Sequence, residues 1–194
     1  YGENSSVVLP FVNMSDDPAN EYFADGISEE LLNLLANVPE LRVISRSSAF
    51  AFKGKDLKIG EIAEQLNVAH VLEGSVRKSG DRVRITAQLI DARSDTHLWS
   101  ATYDRGFDDI FAIQDEIATE VVRHLKITLL GEAPRVSETD PEAYALYLRA
   151  RHLLMQFKPE NIPAAEALLR QALERDPRNV RVLLGLVFAQ MQRY

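Results

Sequence analysis

The sequence predicts an α+β fold in which a mixed β-sheet of about five strands, with about three helices, is followed by an entirely helical segment. Short β-branched or alternating runs are interspersed with helical patterns over the first 130 residues, whereas only helical patterns follow. The charge divides at a similar place. Residues 1–140 have 14 basic and 24 acidic side chains, a net charge of −10, and residues 141–194 have 8 and 5, a net charge of +3. We therefore expect two units with different surfaces.

The first half of the chain alternates strands with helices. Strands are predicted at residues 6–12, 41–45 and 68–76, and helices at residues 27–36 and 59–66. Pro10 interrupts the first strand, where it cannot donate a ladder hydrogen bond. Because helices connect the consecutive strands, we expect these strands to be parallel neighbours.

The next part of the chain predicts an antiparallel meander and a final helix. Strands at residues 83–89 and 97–103 follow polar turns at residues 78–81 and 91–95, and a longer amphipathic helix follows at residues 108–125. Strict alternation would place His97, Trp99, Ala101 and Tyr103 on one face of the sheet. Residues 1–131 are thus the predicted mixed-sheet domain, residues 132–140 a linker, and residues 141–194 a second unit.

The second unit contains a helix pair at residues 141–157 and 162–175. Its helices contain small and large residues at a characteristic spacing, which are Leu146, Ala150 and Leu153 in the first helix and Ala165, Leu169, Ala172 and Pro177 in and after the second. This pattern resembles the tetratricopeptide repeat. Arg149 departs from it, since leucine is common there, and the turn is longer than usual. The resemblance covers residues 141–194 as a truncated array of about one and a half repeats; a generic helical hairpin is the alternative.

The repeat resemblance implies a binding surface on the concave face that first helices form. In this sequence it points to Tyr144, Tyr147, Arg151, Met155, Arg181, Leu184, Phe188 and Met191. Aromatic and arginine side chains are frequent anchors of protein interfaces, so the expected occupant is a protein or peptide. The last helix has no successor to pack against. We expect it to expose an apolar patch that binds another copy of the chain through Leu183, Leu186, Val187 and Phe188.

Five segments of the first domain look like one known module. They are VLPF at residues 8–11, NMS at 13–15, EYFADG at 21–26, LEGSVR at 72–77 and VRITAQL at 83–89. Together they resemble the TolB amino-terminal-like domain that precedes tetratricopeptide repeats in bacterial signalling proteins. The resemblance implies an accessory region of class III adenylate or guanylate cyclases or of winged-helix regulators. It also implies the periplasmic side of a membrane-anchored protein, with the cytoplasm as the alternative.

Several kinds of chemistry are disfavoured. The absence of cysteine excludes disulfides and thiolate chemistry, and the acidic first domain disfavours nucleic acid. Asp16, Asp17 and Asp25 lack the spacing of a calcium loop, and the four histidines lack metal-ligand spacing. We therefore predict no catalytic residue, no metal and no cofactor.

The leading hypothesis is a non-catalytic interaction or sensory region of a larger bacterial signalling protein, with the repeats docking a peptide or a subunit. The alternative is a small-ligand sensor whose pocket lies between the sheet and the loop of residues 13–25. An enzyme ranks third, because only unpaired carboxylates and histidines favour it. The sequence begins without an initiator methionine or a signal peptide, so we expect a piece of a longer protein.

Overall fold

The computed structural model describes residues 2–125 and 139–192. The chain divides into two compact units, residues 1–136 and residues 137–194, named here the sheet unit and the helical unit. Most of the predicted linker, residues 132–138, lies outside the described residues. Every helix within residues 2–125 and 139–192 falls short of the length and hydrophobicity that a membrane span requires.

The sheet unit has a mixed sheet and four α-helices, which confirms the predicted α+β class. Its strands are β1 (Ser5–Val8), β2 (Val12–Asn13), β3 (Arg42–Val43), β4 (His70–Ser79), β5 (Arg82–Asp91) and β6 (Thr96–Gly106). Its helices are α1 (Glu21–Ala36), α2 (Arg46–Phe50), α3 (Ile59–Leu66) and α4 (Ile110–His124). The strand order is β3-β1-β4-β5-β6, and β2 also pairs with β4. As expected, β1 is parallel to β3 and β4, and β4, β5 and β6 form an antiparallel meander.

The register gives the sheet one well-covered face. Leu72 on β4 lies opposite Leu89 on β5, which lies opposite Trp99 on β6. Helices α1 and α4 pack against each other, and α4 also contacts β5 and β6. The inward-facing residues Val83, Ile85, Ala87 and Leu89 of β5 are accordingly buried. The apolar side chains that alternate along β5 thus form the main core beneath these two helices.

The second face of the sheet is only partly covered. Val7 and Val71 pack in a cluster with Ala49 of α2 and with Ile62 and Ala63 of α3. Farther along the meander, this face carries paired hydroxyl side chains instead. Thr86 and Thr102, for example, lie opposite each other with their Oγ1 atoms 3.1 Å apart. The far end of the sheet therefore presents a polar, open surface.

Glycine at position 74 allows this sheet to pack tightly against an aromatic ring. Gly74 lies in the interior of β4, opposite Ala87. A Cβ at this position would clash with the carbonyl oxygen of Thr86 and would lie 2.7 Å from Cε2 of Phe11. Because Phe11 is fully buried, neither neighbour has room to withdraw, and only a residue without a side chain fits.

Four local features differ from the predictions. Helix α1 begins at Glu21, six residues before the predicted start at residue 27. The strand predicted at residues 6–12 is divided at Pro10 into β1 and β2. The strand predicted at residues 41–45 is reduced to the two residues of β3, and the short helix α2 follows it without having been predicted. The prediction that His97 shares a face with Trp99 is wrong. Trp99 pairs with Leu89 and His97 with Ile90, so Leu98 is an extra residue, and this bulge sends His97 to the opposite face.

The helical unit contains α5 (Pro141–Leu154), α6 (Ile162–Arg175) and α7 (Val180–Met191). The first two lie where the sequence predicts them. Asp140 caps α5 by accepting a hydrogen bond from the Ala143 N–H, and Asn179 caps α7 in the same way through Val182. The core between the three helices consists of Ala143, Ala150, Leu154, Ile162, Ala165, Leu169, Ala172, Val182 and Ala189. Its small residues allow the helices to approach closely.

Candidate functional site

The three aromatic candidates of the helical unit are engaged in packing. Tyr144 is only 2% exposed. Tyr147 and Phe188 are half-buried and pack against the core of the helical unit. The rings of Tyr147 and Phe188 therefore contribute to the packing of the helices, and the buried Tyr144 offers almost no accessible surface for a partner.

The other five candidates are more accessible. Arg151, Met155 and Arg181 are half-buried, whereas Leu184 and Met191 are 63% and 70% exposed. The eight residues predicted to line one binding face thus range from fully buried to largely exposed. Only Leu184 and Met191 are strongly exposed apolar side chains that a partner could cover.

A continuous apolar stripe on α7 includes these two residues. It consists of Val180, Leu183, Leu184, Val187 and Met191, which are each between 44% and 70% exposed. At about 100° per residue, these five positions fall within a sector about 100° wide. Val182 and Ala189, which are completely buried, lie on the opposite side of the helix. We call the five exposed residues the α7 stripe.

Of the four residues expected to form a self-association patch, two are exposed. Leu183 and Val187 are exposed as predicted, but Leu186 and Phe188 pack against the core of the helical unit. The sequence VRVLLGLVFAQM is apolar on nearly every side of the helix. Periodicity alone therefore does not tell which side faces the core. Gly185 indicates the side of α7 that faces α6. A Cβ at position 185 would lie only 3.0 Å from Cδ2 of Leu169 on α6, so a residue without a side chain allows the close approach.

A cleft of about 450 Å³ lies in the sheet unit, at the end of the sheet where β4 begins. It is lined by polar groups from several elements, among them Glu3, His70, Asp91, Arg93 and His124. Burial is the main cause that lowers the pKa of His70. A hydrogen bond with the Ser5 backbone and the charge of Asp91 act to raise it, and the charge of Arg93 lowers it further. The cleft combines hydrogen-bond donors and acceptors, and none of the described residues that line it is a serine, threonine or cysteine.

This cleft is not where the sequence places a ligand pocket. Residues 13–25, which the sequence predicts as a loop, include the start of α1 at Glu21, and the segment leaves β2 beside the part of β4 around Ser75 and Val76. His70 lies six residues before Val76 on the same strand, which corresponds to about 20 Å along β4. Polar groups of the loop are used within the protein: Ser15 accepts a hydrogen bond from the Lys78 N–H, and Asp17 accepts one from the Ala19 N–H. A small-ligand site is therefore better supported at the His70 cleft.

Acidic residues of α1 are held by cations from the segment that follows β3. Lys53 Nζ lies 2.6 Å from Asp25 and 2.7 Å from Glu21, and Arg46 forms an ion pair with Glu29. Burial acts to lower the pKa of Lys53, but its hydrogen bonds to the two carboxylates outweigh burial and raise it. Within the described ranges, no three histidine, aspartate or glutamate side chains are grouped as metal ligands would be. These carboxylates accordingly act as structural ion pairs.

No protein-family model matches the chain. A curated protein named "Putative adenylate cyclase 3", from Rhizobium meliloti (strain 1021), is 46% identical over 177 residues. The match covers 89% of this chain and 30% of that protein. The chain therefore spans less than a third of the length of this relative. Because the match covers so much of the chain, it includes residues from both the sheet unit and the helical unit.

Several solved structures of bacterial proteins are similar to part of this chain. TolB from Acinetobacter baumannii has a TM-score of 0.48 and 13% identity, over 62% of this chain and 28% of that chain. Lipoprotein GNA1162 from Neisseria meningitidis has a TM-score of 0.45 and 20% identity, over 53% of this chain and 80% of that one. The LpoB C-terminal domain from Salmonella enterica has a TM-score of 0.43 and 19% identity, over 54% and 83%.

Proposed function

We propose that this chain is a non-catalytic regulatory region of a larger bacterial signalling protein, and that its helical unit docks a peptide or a subunit. The α7 stripe is the observation that carries the proposal. Apolar side chains scattered over a surface are ordinary, but five on one sector of one helix form a contiguous surface that an apolar partner would cover. The relative named as an adenylate cyclase supports a signalling context, since its matched portion is a minor part of a longer protein.

The sheet unit fits a relay role in this proposal better than a catalytic one. Two of its buried acidic residues on α1, Glu29 and Asp25, are bound to Arg46 and Lys53, and no serine, threonine or cysteine is among the described residues that line the His70 cleft. The output activity, a cyclase by analogy with the relative, would belong to another part of the full protein. A periplasmic position, which the TolB-like resemblance implies, belongs to the same proposal.

Site-specific photocrosslinking tests the docking surface. A photoreactive amino acid replaces Leu184, and the chain is irradiated in its native host. We expect a covalent adduct whose mass identifies either a partner protein or a second copy of the chain. The matched control places the same group at Glu174, an exposed position on α6 outside the stripe, where we expect no such adduct.

A variant of the stripe extends this test. With the photoreactive group at Leu183, the added pair Leu184→Glu and Val187→Glu should abolish the adduct. An apolar anchor in an interface typically contributes about 2 kcal/mol, so losing one weakens binding about thirtyfold. Adducts that form equally at positions 184 and 174 would contradict the proposal. So would turnover of esterase, phosphatase or nucleotide substrates by the chain that a single His70 or Asp91 substitution abolishes.

A small-ligand sensor is a second candidate, favoured by the His70 cleft. Arg93, the two imidazoles and the carboxylates of Glu3 and Asp91 suit a small polar ligand that both donates and accepts hydrogen bonds. A thermal-shift screen distinguishes this candidate from docking, because a ligand at 100 times its dissociation constant adds about 2.7 kcal/mol to folding stability. A docking region that has no sensor function should show no shift with any metabolite.

A further inference from the structure

The outer edge of β6 is long and unpaired. The sheet ends at this strand, which is eleven residues long, and within the described ranges no strand pairs with its outer side. About every second residue of an edge strand directs its backbone N–H and C=O away from the sheet. Such an edge is a template for pairing with another strand unless charges, proline or a bulge protect it.

The middle of β6 lacks this protection. Residues 98–103, with the sequence LWSATY, contain no charge, no proline and no glycine, which is the composition typical of segments that pair with copies of themselves. The charged residues that follow are directed back into the same chain. Asp104 binds Arg82 at 2.7 Å and Arg84 at 2.5 Å, and Arg105 binds Glu116 on α4 at 2.8 Å. Leu98 is itself the bulged residue, so the regular and uncharged part of the edge is residues 99–103.

We propose that β6 pairs antiparallel with β6 of a second copy of this chain, about a twofold axis through Ala101. In this register Trp99 lies opposite Tyr103 of the second copy, and Ser100 lies opposite its Thr102. Trp99 and Tyr103 are half-buried on the face that α4 contacts, and Ser100 and Thr102 are exposed on the other face. Aromatic pairs and hydroxyl pairs are both favourable across strands, and the smallest side chain of the segment lies on the axis.

Charge favours a second copy over a foreign strand. An uncharged edge offers nothing with which to select an acidic or basic peptide, whereas two identical neutral edges meet without repulsion. An overlap of residues 99–103 in each copy, which excludes the bulged Leu98 and the charged Asp104, supplies about four to six backbone hydrogen bonds. That number lies at the lower end of the range of about ten, plus or minus five, for a specific protein interface. The twofold arrangement also uses the same surface on both copies and therefore closes.

Sedimentation of charged edge variants tests this pairing. The chain is studied with Leu184→Glu and Val187→Glu already present, so that the α7 stripe does not contribute to association. We expect this background chain to dimerise across the micromolar range. Adding Ser100→Lys and Thr102→Lys places like charges opposite each other twice per dimer, and dimerisation should weaken on the order of tenfold.

A charge reversal keeps the test specific to the register. The variant with Ser100→Glu and Thr102→Lys places a glutamate opposite a lysine at both pairs and should dimerise at least as well as the background chain. Both this variant and the variant with two lysines replace Thr102 and lose its contact with Thr86. A difference in dimerisation between the two variants therefore does not come from that loss. A background chain that stays monomeric, a lysine pair that dimerises as well as the background, or a Glu/Lys variant that stays monomeric would each overturn the proposal.

Discussion

One carboxylate, that of Asp140, stabilises two helices of the helical unit. Its Oδ1 accepts a hydrogen bond from the Ala143 N–H at 2.7 Å and another from Arg175 Nε at 3.1 Å. The substitution Asp140→Ala removes both, and we expect the free energy of unfolding to fall by about 1 kcal/mol, the usual cost of a lost N-cap. Urea denaturation followed by circular dichroism measures this loss.

The variant Asp140→Asn separates the cap from the charge. Asparagine is as good an N-cap as aspartate, so it should retain most of the stability at neutral pH. The Ala143 N–H, and after it Arg175, hold the pKa of Asp140 below its usual value. The wild-type carboxylate therefore stabilises the fold above the unfolded pKa, and this contribution is lost as the pH falls through the folded pKa. Equal losses in both variants would show that the cap contributes little.

At the scale of elements, the orientation of α7 is the point that most needs a test. Leu169 of α6 is completely buried against α7, whereas Leu184 lies on the α7 stripe and is 63% exposed. Leu169→Ala leaves a cavity and should cost about 3 kcal/mol of unfolding free energy. Leu184→Ala removes the same atoms from the surface and should change stability by less than about 0.5 kcal/mol. Comparable losses in the two variants would mean that α7 is rotated relative to this arrangement.

The short strand β3, the short helix α2 and the bulge at Leu98 could not be predicted from sequence patterns. The long helices and the meander were predictable because each has a buried face with a clear period. The length of β3 depends on pairing with β1, and α2 is five residues long, too short for a period to be recognised. The bulge at Leu98 adds one residue without changing composition, so only the register with β5 reveals it.

The candidate site was less predictable than the fold for a related reason. The repeat pattern located α5 and α6 and identified Leu184 and Met191, both of which are exposed. It could not separate them from Tyr144, which is buried, because the pattern specifies positions along a helix and not the neighbours that cover them. Exposure is a property of the packed unit, and the apolar sequence of α7 is compatible with more than one orientation.

At the scale of the whole molecule, the net charge of −7 is the sum of an acidic sheet unit and a basic helical unit. Each unit has its own apolar core, and each carries one surface suited to association. The α7 stripe is a side-chain surface on a helix, and the β6 edge is a backbone surface on a sheet. Because they belong to different units, substitutions at one leave the other intact, and the two proposals can fail separately.

The pH dependence of stability tests the half-buried His70 of the sheet unit. Burial, with a further contribution from Arg93, lowers the pKa of His70 from its ordinary value of 6.5. The unfolded chain therefore binds this proton at a higher pH than the folded chain does. The contribution of the neutral His70 to the free energy of unfolding is fully present above pH 6.5. It is lost as the pH falls from the unfolded pKa of His70 to its lower folded pKa, with a slope of at most about 1.4 kcal/mol per pH unit.

Comparison with His70→Gln isolates this contribution. The variant lacks the titrating group, so the difference in unfolding free energy between wild type and variant should shrink as the pH falls below 6.5. Burial raises the pKa of Glu73, which makes stability fall as the pH rises just above the ordinary range of that carboxyl. Both proteins share this opposite effect, so it cancels in the difference. A difference that is constant from pH 7 to pH 5 would mean that His70 is as accessible to protons in the folded chain as in the unfolded one.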